Sequence, residues 1–185
     1  MLGILGGMGP LATVDLMHKI IALTPAAADQ QHIPLIVYSD GRIPDLRAAI
    51  LDPLQPSPLP KMIEGIKLLE QAGAQCIVIA CNTAHHWSSS LAATASVPII
   101  DIAQAVCISL RRQCQQASRV GILATYATLV SGFYQRAIQG AGFSYIQLSK
   151  NETYDYIERS IALVKQGEIN ASQTFLRAHP GSLDS

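Results

Sequence analysis

With 185 residues, 13 Lys+Arg against 13 Asp+Glu and no basic stripe, the chain carries no formal net charge, which argues against nucleic acid as a partner. The length suits one sizeable domain or two small ones. Charged residues make up only 14%, against roughly 25% in ordinary soluble domains, which leaves apolar surface to cover and predicts an oligomer.

The opening stretch MLGILGGMGP lacks a basic start and is broken by Gly6, Gly7, Gly9 and Pro10, so it reads as neither signal peptide nor membrane anchor. No apolar run approaches the ~20 residues that a bilayer requires, and no membrane partner is expected. Leu2 to Leu5 reads as a short strand, followed by a glycine turn, a helix from about Thr13 to Leu23 and a second strand from Pro34 to Tyr38. Ser39 to Pro60 holds Pro44, Pro53, Pro56, Pro58 and Pro60 and is predicted to be a long loop, of the kind that often forms a functional lid. Lys61 to Ala72 has helical apolar spacing (Met62, Ile63, Ile66, Leu69) and stops at Gly73, as helices commonly do. A strand from Cys76 to Ala80, a helix near His85 to Ala95, a strand from Val97 to Ile100 and a helix from about Ala103 to Gln115 follow. Strands alternating with helices of this length predict an α/β fold, with parallel sheets flanked by helices and ligands at the C-terminal ends of the strands.

The chain then begins again. Val120-Gly121-Ile122-Leu123, Thr125 and a helix around Leu129 to Ile138 echo Leu2-Gly3-Ile4-Leu5 with its turn and helix. So short an echo is shared by many β-α units, and pattern alone leaves a duplication open. If the repeat holds, carrying Cys81 forward by the interval from Gly3 to Gly121 passes Ser185, and the second copy is incomplete. The expected division is a first α/β lobe over 1–102 carrying Cys81 and a partial second lobe over 103–185.

Cys81 closes the apolar run Cys76-Ile77-Val78-Ile79-Ala80 and opens the polar string CNTAHH, so its thiol is expected where a buried strand gives way to a helix. Unpaired backbone N–H groups and the positive end of a helix dipole favour a thiolate there, and Asn82 and Thr83 add donors for a substrate carboxylate. The four cysteines, Cys76, Cys81, Cys107 and Cys114, form no C-x-x-C pair, and a reducing cytoplasm fits them best.

Five motifs in order, GILGGMGPLAT (Gly3 to Thr13), Ile43-Pro44-Asp45, CNTAH (Cys81 to His85), GILAT with Ser131-Gly132, and Lys165-Gln166-Gly167, resemble those of the aspartate/glutamate racemases. The resemblance runs from Met1 to about Leu176. It implies a cofactor-independent isomerase of an acidic amino acid, built as two similar lobes around a cleft and assembled as a homodimer. Each lobe would supply one cysteine: one thiolate removes the Cα proton and the other thiol returns a proton to the opposite face. The match assigns Cys81 as the first-lobe acid/base. Asn82, Thr83 and Thr125 match positions that hold substrate carboxylates, and Lys165 matches a carboxylate-associated lysine. Two departures stand out. Leu46 occupies the place of the arginine that usually follows the IPD triplet, with Arg47 one residue on, and a second cysteine strand is absent from these 185 residues. Removing a weakly acidic Cα proton needs a thiolate, and inversion needs a donor on the other face, so this chain alone is expected to be an impaired racemase.

The residues also carry plainer readings. Cys76, Cys107 and Cys114 read as packing, Thr125 as a helix cap and Lys165 as a solvated charge near a helix end. His85 and His86 find no further ligand cluster, so no metal is expected, and His85 reads as a hydrogen-bonding residue behind the loop. Gly7-Met8-Gly9-Pro10-Leu11-Ala12 satisfies a dinucleotide fingerprint, yet Pro10 removes a donor from the phosphate cradle. The alternatives to a racemase are a noncatalytic protein that binds an acidic amino acid and a one-cysteine decarboxylase or isomerase.

Overall fold

The computed structural model describes residues 1–113 and 119–178. The chain divides into two compact units, Met1–Ala105 and a second from Val106 onward.

The first unit is built on strands β1 (Leu2–Gly6), β2 (Leu35–Ser39), β3 (Cys76–Ile79) and β4 (Ile99–Ile100), all parallel in the order β2-β1-β3-β4. Parallel neighbours need crossovers, and helices α1 (Pro10–Leu23), α3 (Leu59–Gln71) and α4 (Ser88–Thr94) lie in them. Central β1 reads as an apolar run because both of its faces are covered: Ile4 and Leu5 are fully buried. The i, i+3, i+4 spacing of α3 puts Met62, Gly65, Ile66 and Leu69 on one buried face, and the helix packs along β1 and β2. Leu5, Ile66, Leu69, Ile77 and Leu91 form one core. Burying each such side chain contributes about 1.5–3 kcal/mol before the entropy of ordering it is set against that gain.

The expected loop from Ser39 to Pro60 is not helix-free. Helix α2 (Leu46–Leu51) forms between Pro44 and Pro53, with Asp45 accepting hydrogen bonds from the N–H groups of Arg47 (2.8 Å) and Ala48 (3.2 Å). Pro60 lies in the first turn of α3, where no intrahelical N–H is needed. After β3 the backbone takes a 3-10 turn, Thr83–Trp87, before α4 begins, so Cys81 precedes a tight turn and not an α-helix.

Helix α5 (Ile102–Gln113) begins in the first unit, and the second unit contains parallel strands β5 (Arg119–Ile122) and β6 (Ser144–Gln147) with α6 (Tyr126–Ser131) and α7 (Phe133–Gly140) between them. β6 is an element the sequence pattern did not announce. The helix expected over Leu129 to Ile138 is broken in two at Gly132, whose φ of 69° lies in the left-handed region where glycine alone is comfortable. Cys107, Ile122, Leu129 and Ile138 form this unit's core, so Cys107 packs as expected; Cys114 lies outside the described residues. Helices α8 (Lys150–Glu152) and α9 (Arg159–Lys165) flank a π-helical stretch, Thr153–Glu158, and α10 (Ile169–Arg177) follows. Among the described residues no helix is long and apolar enough to cross a membrane.

Candidate active site

Three loops meet at the C-terminal end of the first sheet. Strand β1 runs into Gly7-Met8-Gly9, where Gly7 has a φ of 93° and a side chain would come within 2.4 Å of the Asp40 backbone. Only glycine fits both constraints. Buried Thr13 braces the turn from α1: its Oγ1 accepts the Gly7 N–H at 3.1 Å and donates to the Gly9 carbonyl at 3.3 Å.

The register Gly6↔Ser39 and Leu5↔Ile79, continued by the Ala80 N–H bonding to the Leu5 carbonyl at 2.9 Å, brings Asp40 and Cys81 level with Gly7 on either side of β1. The half-buried Cys81 thiol donates to the Met8 carbonyl across 3.5 Å. A thiol held this way carries its proton toward a carbonyl, and acting as a base requires it to give that contact up. Asn82 is exposed, whereas Thr83, at the head of the 3-10 turn, is buried.

His85 lies beneath this turn and is only 2% exposed. Its Nδ1 is 2.9 Å from the Cys81 carbonyl, and its Nε2 is 3.4 Å from the Ile102 N–H. Burial holds its pKa below the ordinary value of 6.5. The plain reading of His85 as a hydrogen-bonding residue behind the loop is the role the geometry displays.

On the other side of β1, buried Asp40 accepts four hydrogen bonds: from the Tyr38 hydroxyl (3.0 Å) and from Arg42 through its backbone N (2.9 Å), Nε (2.9 Å) and Nη2 (3.0 Å). The Arg42 guanidinium holds this carboxyl well below the usual carboxylate range. Arg42 itself is mostly exposed, so the fork fixes a cation at the rim of the sheet. Sequence reasoning passed over this trio; the position of Asp40 one residue past a strand was the only local signal.

Helix α2 packs beside the 3-10 turn that follows Cys81, bringing Arg47 into the same region. Leu46 points into the core at 7% exposure, while Arg47 lies one residue round the helix, 3.5 Å from the Asp45 carboxylate. In the second unit, Thr125 caps α6, accepting the Thr128 N–H at 3.3 Å and sharing a 2.9 Å hydrogen bond with the Thr128 hydroxyl. Glu158, from the π-helical stretch, accepts the adjacent Tyr126 N–H at 3.0 Å, a contact that no sequence signal announced. Lys165 is exposed in the last turn of α9. Among the described residues no three His, Cys, Asp or Glu side chains gather as a metal site.

Cys81 thus follows β3, the strand hydrogen-bonded to β1, and its thiol faces the glycine turn at the end of β1. The Asp/Glu/hydantoin racemase family model matches residues 5–180, and the chain belongs to that family. It is 29% identical to the broad specificity amino-acid racemase RacX of Bacillus subtilis (strain 168), over 90% of this chain and 71% of that protein. Its structure superposes on Picrophilus torridus aspartate racemase with a TM-score of 0.83 at 28% identity, covering 97% of this chain and 76% of the other. A glutamate racemase from Francisella tularensis subsp. tularensis SCHU S4, solved with D-glutamate, superposes with a TM-score of 0.59 at 21% identity, covering 79% and 51%; at that identity the likeness concerns the fold alone.

Proposed function

We propose that this protein is a cofactor-independent amino-acid racemase for aspartate or glutamate in which Cys81 exchanges the Cα proton. The observation that carries the reading is Cys81 at the strand end, opposite the glycine turn and followed by Asn82 and Thr83, in a chain of this family. In the forward step the Cys81 thiolate takes the Cα proton, and the electron pair left on Cα spreads into the substrate carboxylate as an enediolate-like species. Returning a proton to the same face restores the starting enantiomer; returning one from the opposite face inverts it. Donors at the carboxylate lower the barrier as that charge develops. In the first unit Asn82, Thr83 and Arg47 are the residues we propose for holding a substrate carboxylate; in the second, Thr125 and Lys165 are proposed as carboxylate-binding residues.

The 185 residues contain no second cysteine at the end of a described strand. This chain by itself is therefore proposed to exchange the Cα proton from one face and to invert slowly or not at all. A homodimer in a reducing cytoplasm completes the proposal.

NMR of the purified chain with L-aspartate and L-glutamate in D2O tests it directly. Loss of the Cα–H signal in the wild type but not in Cys81→Ala is expected, with the rate falling by at least a hundredfold in the variant. Because the Bacillus subtilis relative is named for broad specificity, the same panel should include neutral amino acids. Binding without exchange would favour a noncatalytic relative, a reading to which the core position of Leu46 lends support.

A further inference from the structure

Asp101 precedes helix α5, and its carboxylate accepts the N–H groups of Ala103 (2.8 Å) and Gln104 (3.1 Å), while the Ala105 N–H bonds to the Asp101 carbonyl (3.0 Å). The remaining first-turn donor, the Ile102 N–H, goes to Nε2 of His85. A backbone N–H can only donate, so Nε2 accepts and the ring proton of the neutral imidazole lies on Nδ1. That proton faces the Cys81 carbonyl. The N-terminus of a twelve-residue helix opposes a positive charge on the ring, and burial acts in the same direction. The backbone of Cys81, the Asp101 carboxylate and the backbone of Asn82 and Ile100 favour the opposite, and burial outweighs them.

From this geometry we infer that His85 is a positioning residue for Cys81: locked as the Nδ1–H tautomer by the start of α5, it donates to the Cys81 carbonyl and so sets the peptide group that joins Cys81 to Asn82. Donation to the oxygen of a peptide strengthens its N–H as a donor, and the N–H of this peptide belongs to Asn82, immediately beside the thiol. His85 thereby raises the thiolate fraction of Cys81 without touching the substrate. This deepens the reading of Cys81 as the acid/base and rests on it.

The test reads the thiol apart from turnover. The rate of iodoacetamide alkylation is followed against pH at the Cys81 peptide by mass spectrometry, in the wild type, His85→Asn and His85→Gln. Asparagine can offer its amide N–H where Nδ1 stood; glutamine can accept from Ile102 where Nε2 stood but leaves the Cys81 carbonyl without that donor. His85→Asn is expected to keep the wild-type profile, and His85→Gln to move its midpoint up by about half a unit, slowing alkylation near neutrality roughly threefold. Equal profiles in all three proteins, or equal shifts in both variants, would overturn the inference. If His85→Gln does not fold, 1H–15N NMR of the wild type decides: a ring proton on Nδ1 supports the assignment and one on Nε2 refutes it. A wild type inert in D2O exchange would defeat the racemase reading while leaving the alkylation result to judge His85.

Discussion

Asp40 shows at the scale of a single residue how a polar group earns its place in a buried rim. Four hydrogen bonds satisfy both of its oxygens, so the carboxylate form is the one the fold holds. Its folded pKa lies below the ordinary 3.8, so in acid the unfolded chain takes up the proton first. The stabilisation is therefore fully present above about pH 4 to 5 and is lost as pH falls through 3.8 toward the folded value. Asp40→Asn should lower stability at neutral pH and flatten the acid limb between pH 5 and 2, as thermal melts across that range would show; an unchanged acid limb would mean the fork contributes nothing. Cys81 and His85 were legible in the CNTAH string because their chemistry is written in consecutive residues. The Asp40–Arg42 fork was not, because an aspartate after a strand is ordinary until its burial is known.

Helices α2 and α3 illustrate the element scale. Proline content predicts no helix from Ser39 to Pro60, yet α2 fits between Pro44 and Pro53 because Asp45 caps it and no proline falls inside it. Spacing of the prolines, not their number, decides the matter. Helix α3 was legible because its apolar period is long and regular. Its buried face carries the first unit's core, and Ile66→Ala is expected to destabilise the protein by about 2–5 kcal/mol in urea or thermal unfolding. A cost below about 1 kcal/mol would show that the site collapses around the smaller side chain.

For the whole molecule, the low charge content and one exposed apolar face of α1, with Leu11 (44%), Val14 (61%) and Ile21 (50%), are what support association of two chains. Sedimentation velocity from low to high micromolar concentration should give a species of twice the chain mass. A monomer throughout would remove the homodimer from the proposal and leave the assignment of Cys81 untouched.

By itself the sequence determined the α/β class, the parallel strands of the first unit, the family and the position of Cys81, since periodicity, glycine turns and CNTAH are local signals carried by neighbouring residues. Tertiary structure alone decided that Gly7 must be glycine against Asp40, that Leu46 belongs to the core, that Gly132 divides α6 from α7, and that His85 joins Cys81 to Ile102. The physical reason is distance along the chain. Burial and hydrogen-bond direction between residues far apart in sequence exist only once the strands have chosen their neighbours.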